Sequence, residues 1–367
     1  MVKAMVRSSG VLVPTEETVD LSGLGNMAAT DPALSPRRLT QFRATARAIV
    51  LYAVTMFIVV TVIFAIPRAM PGDPIAARED PTDSLYVSDP AVRERMLAYY
   101  GLDKPLVVQY REYLGRIVKG DFGWSISRNM PVRELIGKHL PWTFLLMGTA
   151  LVLSSAISFL AGIGAAWRRG GARDRVLVVA MTSARAVPEY AIAAVMLIVF
   201  AVLWPILPLY GAKTPFAEYA SPLALVLDVA RHLVLPAAAL TLGLMGNKFL
   251  LVRNTTIGVL GEDYMVLARA KGLSDRRLKF HHAGRNALLP FLTVLGIQVG
   301  FAVGGSVFVE SVFAYPGMGT LILRAVEQRD YPVLEGCFLA LATTVLLVNL
   351  LIELVYARLD PRVGSSS

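Results

Sequence analysis

The chain has one cysteine, Cys337, set inside an apolar run, so it can form no internal disulfide and no cysteine-based metal site. It has no GxxxxGK(S/T) phosphate loop, which excludes ATP hydrolysis by this chain alone. Its four histidines, His139, His232, His281 and His282, make no metal site by their spacing. No HExxH, Ser-His-Asp or paired-carboxylate arrangement assigns a catalytic residue. Charge is scarce as well, at 17% of 367 residues. What fills the chain instead is 55% hydrophobic residues with a mean hydropathy of +0.56, the composition of an integral membrane protein. The net charge of +9 comes from basic clusters beside apolar runs, which suits an anionic lipid surface and requires no nucleic acid.

The apolar runs predict an all-α membrane protein with six transmembrane helices. Residues 1–46 are polar and too poor in apolar side chains to bury a core, so a disordered cytoplasmic tail is expected, without the early apolar core of a signal peptide. Residues 47–66 form the first span, held with its N-terminus in the cytoplasm by Arg37, Arg38, Arg43 and Arg47. Residues 67–138 are polar, near-balanced in charge and rich in proline, and are expected to form an extracytoplasmic domain whose Gly-Asp pairs make turns. Residues 139–357 hold spans two to six, with a short basic turn at Arg168–Arg175, and residues 358–367 are a cytoplasmic tail.

Inside the spans few residues carry chemistry. Arg185, Pro188 and Glu189 interrupt the third run, from Val176 to Leu209. Two readings stand: an Arg185–Glu189 ion pair one turn apart beside a proline kink, or Glu189 facing a translocation pathway. Gln298 either lines a polar path or joins helices. Gly296, Gly300 and Gly304 repeat at intervals of four, a doubled GxxxG face that would admit another helix to backbone contact.

The rest of the chain is arranged around residues 261–290, GEDYMVLARAKGLSDRRLKFHHAGRNALLP. This segment carries Arg269, Lys271, Arg276, Arg277, Lys279 and Arg285 against Glu262, Asp263 and Asp275, which places it on the cytoplasmic side. Tyr264–Lys271 reads as a helix stopped by Gly272, and Ser274 as the cap of a second helix, its hydroxyl accepting an orphan N–H. Ala268 and Gly272 then share one face, small enough for a partner surface to come close.

The run ARAKGLSDRRLKFHHAGRNALLP resembles the cytoplasmic loop, often called the EAA loop, of permease subunits of ATP-binding-cassette importers, in the form found in the dipeptide, oligopeptide and nickel group. PGDP (Pro71–Pro74), YYGLDKPLVVQY (Tyr99–Tyr110), GDFGWSI (Gly120–Ile126), PVRELI (Pro131–Ile136), AYPGMG (Ala314–Gly319) and RDYP (Arg329–Pro332) resemble the same group. The resemblance runs from about 46 to 363, so the tail before it is a lineage-specific extension or an upstream start, with Met27 as the alternative. Val266 and Leu267 depart from the motif, standing where it has an acid and its first alanine.

The resemblance implies that Asp263, Tyr264, Ala268, Arg269, Ala270, Lys271, Gly272, Leu273 and Ser274 form a coupling helix and corner that dock on an ATPase subunit. It further implies a second, homologous permease subunit, two ATP-binding-cassette ATPases that use ATP and Mg, and an extracytoplasmic substrate-binding protein. The expected cargo is di- or oligopeptides, with nickel complexes, glutathione, haem or sugars as alternatives in the same group. No cofactor is expected on this chain itself, and both termini would lie in the cytoplasm of a cell-membrane protein. An ion-coupled secondary transporter is the rival class, disfavoured by the lack of an inverted repeat and by almost no buried acid to carry a coupling ion.

Overall fold

A computed structural model describes residues 36–69, 94–95, 97–98 and 101–359. Of the expected tails at 1–46 and 358–367, residues 1–35 and 360–367 lie outside the described residues, as does the PGDP motif at 71–74. Residues 36–46, expected to be disordered, and 358–359 are helical. Contacts divide the chain into Met1–Leu51 and Tyr52–Ser367. Of the first unit, the described part is the opening stretch of α1 (Pro36–Ala69). Everything below concerns the second unit. Among the described residues there is no β-strand, only an isolated antiparallel bridge between Trp124 and Pro131.

After α1 come α2 (Leu106–Val118), α3 (Val132–Trp167), α4 (Ala172–Ala186) and α5 (Glu189–Leu197), which runs into a π-helical turn over Ile198–Leu203. Next are α6 (Pro222–Leu260), the short α7 (Asp263–Ala270) and α8 (Gly284–Val312). Last are α9 (Met318–Glu327) and α10 (Tyr331–Leu359). Among the described residues four stretches are long and apolar enough to cross a membrane: Val50–Ala69, Val132–Trp167, Pro222–Leu260 and Tyr331–Ile352. The pair α4 and α5 with its π turn would make a fifth.

Two spans start earlier than their apolar runs. α3 begins at Val132 because Pro131 ends the preceding turn and Val132, Leu135 and Ile136 share a face that packs on α9 and α10. The PVRELI motif is therefore the first turn of a membrane helix, and not the edge of a separate domain. α6 begins at Pro222, where the Ser221 hydroxyl accepts the Ala224 N–H at 3.2 Å. The loop before it folds onto the Asp228 carboxylate, which accepts from Thr214 N, Thr214 Oγ1 and Tyr219 Oη at 2.7, 2.8 and 2.7 Å.

The third run is broken. Pro188 lacks an N–H and forces Val187 into an extended conformation, so α4 and α5 meet at 98°. Arg185 and Glu189 therefore sit on different helices and form no ion pair, which removes the intrahelical reading.

α6 is the centre of the bundle, touching α3, α4, α5 and α8. It owes this position to small residues. A Cβ on Gly162 of α3 would sit 3.0 Å from the Phe249 carbonyl oxygen, and one on Gly246 would sit 2.7 Å from the Met181 carbonyl oxygen of α4. The tight helix approaches are thus made by isolated glycines. In the expected GxxxG row, Gly296 and Gly300 face side chains of α10, with Ile352 Cδ1 at 3.5 Å and Val345 Cγ1 at 3.8 Å from an added Cβ. Within this chain that row gives ordinary side-chain packing, because α10 turns isoleucine and valine toward it. At Gly304 only the helical backbone is described.

Gly246→Ala should therefore lower the midpoint of thermal unfolding in detergent, since overpacking against fixed backbone costs about 1–3 kcal/mol and outweighs the helix propensity gained. Gly300→Ala has room and should leave the midpoint unchanged or raise it. Equal midpoints for the two variants would contradict this account of the bundle.

Candidate functional site

The basic segment folds as a short helix seated on its own chain. α6 ends at Leu260, Gly261 turns the chain, and Asp263 favours the positive end of α7. At the other end Gly272 takes φ +76°, the Gly272 N–H donates to Arg269 O at 2.9 Å, and the Leu273 N–H reaches back to Ala268 O at 3.3 Å. This is a Schellman motif, with Leu273 and Ala268 packed together as its apolar contact. The expected glycine stop is therefore present. The chain then re-enters a helical turn at Asp275–Arg277, a π turn at Leu278–Ala283, and α8. That turn starts on backbone bonds to Ser274 O, and the Ser274 hydroxyl makes no cap bond. The hydroxyl cap expected from sequence is replaced by the backbone carbonyl.

Ala268 does not lie on an outward face. It is 7% exposed and packs with Met265, Leu278 and Ala283 against Trp167 and Leu260. Three residues separate Met265 from Ala268, so the two share the inner side of the helix. Gly272 lies past the helix end and is exposed. The outer face is made by Val266, Leu267 and Arg269, with Val266 65% and Leu267 55% exposed. Asp263, Ala270, Lys271 and Ser274 are exposed too, and Leu273 is half-buried. Tyr264 Oη accepts Asn286 Nδ2 at 2.6 Å, tying α7 to α8, and the Arg269 guanidinium lies 5.5 Å over the Trp167 ring. The two positions that depart from the loop motif, Val266 and Leu267, both lie on this exposed face.

The intramembrane candidates fall apart from this segment. Glu189 is half-buried at the start of α5 and packs on Gly243 of α6, where an added Cβ would collide with its side chain. Gln298 is buried, and its Nε2 donates to Leu244 O at 3.0 Å, so it joins α8 to α6. Its Oε1 has no partner.

Sequence reasoning missed Lys248. It is fully buried in α6 and held by Ser154 Oγ at 2.6 Å and Ser155 Oγ at 3.2 Å of α3. A single lysine between MGN and FLLV gave no spacing to notice. Also missed was the forked pair of Arg253 with buried Asp174, at 2.6 and 2.7 Å, which fixes the α3–α4 turn to the end of α6 just before α7.

At the opposite end of the bundle three buried acids explain the remaining motifs. Glu310 Oε2 accepts the Gly319 N–H at 2.7 Å and Oε1 accepts Thr143 Oγ1 at 2.8 Å, so a carboxylate from α8 caps α9. Gly317 and Gly319 of AYPGMG leave space for it, since a Cβ on either would strike Glu310. Asp330 accepts Ser125 Oγ, Ser127 N and Ser127 Oγ at 2.5, 2.9 and 2.7 Å, which joins GDFGWSI to RDYP at the start of α10. Glu335 pairs with Arg68, whose Nε also reaches Gln109 Oε1 at 3.1 Å, joining α1, α2 and α10. The Gly-Asp pair at 120–121 is turn chemistry, with Asp121 Oδ1 accepting the Gly123 N–H at 2.9 Å.

Long apolar helices tied by buried polar contacts, with a basic helical connector at one end, define a polytopic helical membrane protein. Residues 158–365 match the family described as binding-protein-dependent transport system inner membrane component. A putative peptide permease of Brucella ovis is 38% identical over 302 residues, covering 82% of this chain and 92% of that one. The oligopeptide transport system permease protein AppB of Bacillus subtilis is 37% identical over 301 residues, with the same coverage of 82% and 92%. The dipeptide transport system permease protein DppB of Escherichia coli K12 is 32% identical over 324 residues, covering 84% and 94%. The chain belongs to the binding-protein-dependent transport system inner membrane component family, and it is a multi-pass membrane protein.

Asp330→Ala should strip the acceptor from two hydroxyls and a backbone N–H in a buried place. The expected loss is about 3 kcal/mol of stability, with faster proteolysis in residues 120–130. A variant as stable and as protease-resistant as the parent would show that the two motifs do not depend on this carboxylate.

Proposed function

We propose that the chain is the permease subunit of an ATP-binding-cassette importer for di- or oligopeptides and contributes half of the translocation pathway. The relatives named as dipeptide and oligopeptide permeases, matched over more than nine-tenths of their length, support the cargo class. The observation that carries the mechanism is the posture of α7. Its inner face is fixed to the chain's own core, and its outer face offers Val266, Leu267 and Arg269 to a soluble partner. An apolar pair exposed beside cations has no use in water and suits an ATPase surface groove.

In this reading α8 also spans the membrane, as the fifth of six spans in chain order, since its 29 residues exceed the bilayer core at about 1.5 Å per residue. Both termini and α7 lie in the cytoplasm, and residues 67–131 with the α9 region face outside. A second homologous permease completes the pathway, a substrate-binding protein delivers the peptide, and two ATPase subunits consume ATP and Mg. This chain binds no cofactor and hydrolyses nothing.

Reconstituted with its partners, the protein should take up peptide only with ATP. Leu267→Glu places a charge on the exposed face without touching the core. It should leave insertion intact while reducing ATPase retention and uptake at least tenfold. Wild-type uptake in that variant, or uptake on an ion gradient without ATP, would overturn the reading.

The orientation is tested by cysteine labelling. Lys119→Cys and Glu327→Cys lie on exposed positions and should react with an impermeant maleimide from outside, and Ala172→Cys and Asp275→Cys should not. The native Cys337 is buried and supplies a silent background. Reversed labelling would invert the topology.

A further inference from the structure

Beside α7 the ends of α3 and α4 and the turn at Asp275–Arg277 enclose an open cavity of about 500 Å³. Four cations line it, Arg168, Arg173, Arg276 and Lys279, against one acid, Asp275. None of the four makes an ion pair with a described residue. The nearest buried acid in sequence, Asp174, is already taken by Arg253. Four like charges around one cavity repel each other unless something anionic enters.

The inner wall is apolar. Ala161 and Gly164 belong to the span α3, and Leu177 belongs to α4, with the rings of Trp167 and Phe280 closing the sides. A cationic mouth over an apolar wall between membrane helices matches a phospholipid, whose phosphate is anionic and whose chains are not. A protein partner would find charge complementarity at the mouth but no reason for the wall behind it.

We propose that this cavity binds the phosphate headgroup of an anionic phospholipid of the phosphatidylglycerol type. The proposal rests on the cytoplasmic placement of α7 argued above. The bound lipid contacts Trp167, which carries Arg269 of α7, and Asp275 and Arg276, which follow the Gly272 corner. It therefore braces the docking helix from beneath as well as neutralising the cluster.

Trp167 lines the cavity and reports on it directly. The full-length chain is placed in nanodiscs of phosphatidylcholine with increasing brominated phosphatidylglycerol, and the quenching abolished by Trp167→Phe is followed. Half-maximal quenching should occur at a far lower fraction of brominated phosphatidylglycerol than of brominated phosphatidylcholine. Arg276→Gln with Lys279→Gln should weaken the preference by about 30-fold, at the roughly fivefold per cation expected near an anionic surface. Arg111→Gln with Lys119→Gln, exposed and remote in sequence from the cavity, should leave it unchanged.

Equal quenching by the two lipids would overturn the proposal. So would displacement of the lipid by millimolar inorganic phosphate, which would mark a site for a soluble anion. A double variant that keeps the lipid preference but loses the ATPase subunit would assign the cations to the protein partner and likewise overturn it. Labelling of Asp275→Cys by the impermeant maleimide in sealed vesicles, from the face that binds the ATPase only, separates a failure of the lipid site from a failure of the topology.

Discussion

The closeness of α3 and α4 to α6 is the constraint on which the bundle depends. At Gly162 and Gly246 the neighbouring backbone comes too near for even a methyl group. Water does not drive helices together inside a bilayer, so association relies on dispersion and on hydrogen bonds, both of which need short distances. The short distance in turn lets the Ser158 hydroxyl reach Met245 O at 2.9 Å, and lets Ser154 and Ser155 hold Lys248. A buried ammonium without a carboxylate is tolerable only where hydroxyls are that close. The glycines and the lysine are thus one arrangement.

The two ends of the bundle solve opposite electrostatic problems. Where α8 turns into α9 and α9 into α10, buried carboxylates accept the orphan N–H groups and hydroxyls that a tight corner leaves behind. Those contacts are satisfied within the chain and make that end rigid. At the other end Arg168, Arg173, Arg276 and Lys279 surround a cavity with little negative charge of their own. In the functions proposed above, that end is completed from outside the chain, by an anionic lipid at the cavity and an ATPase at α7.

Much of this was legible in the sequence, and the failures have physical reasons. Length and apolarity located four membrane helices and the bent α4–α5 pair, but the starts of α3 and α6 moved outward, because Pro131 and the Ser221–Pro222 pair begin helices before the apolar run does. Gly272 was readable because a positive φ at a helix end asks for glycine. The side to which Ala268 turns was not, because a small residue fits a core as well as an interface, and only Leu278, Ala283 and Trp167, brought in by the return of the chain, decide it. The regular glycine row drew attention while the isolated Gly162 and Gly246 did not. Periodicity marks a face, and close approach needs a partner that is not visible in one helix. Asp330 was read only as a letter of RDYP and Glu310 was not singled out, since what each carboxylate caps lies on another element, for Asp330 some 200 residues away in sequence.

The connection of α7 to the bundle bears on how the proposed coupling would work. α6 leads into α7 through two residues, and α8 leaves it through the Gly272 corner and the π turn, so the helix is clamped between the bundle's central helix and its neighbour. Met265 and Ala268 bind it to Leu278 and Ala283 on the outgoing side, and Tyr264 to Asn286 repeats the tie one turn further. A force applied to Val266 and Leu267 then cannot tilt α7 alone; it must displace the ends of α6 and α8 together. Arg253, paired with Asp174, carries the same displacement to the α3–α4 turn. A rigid lever of this kind transmits a partner's motion into the spans because its seat is packed core and its outer face is not, which is why the inward turn of Ala268 strengthens the docking role proposed for the outward residues.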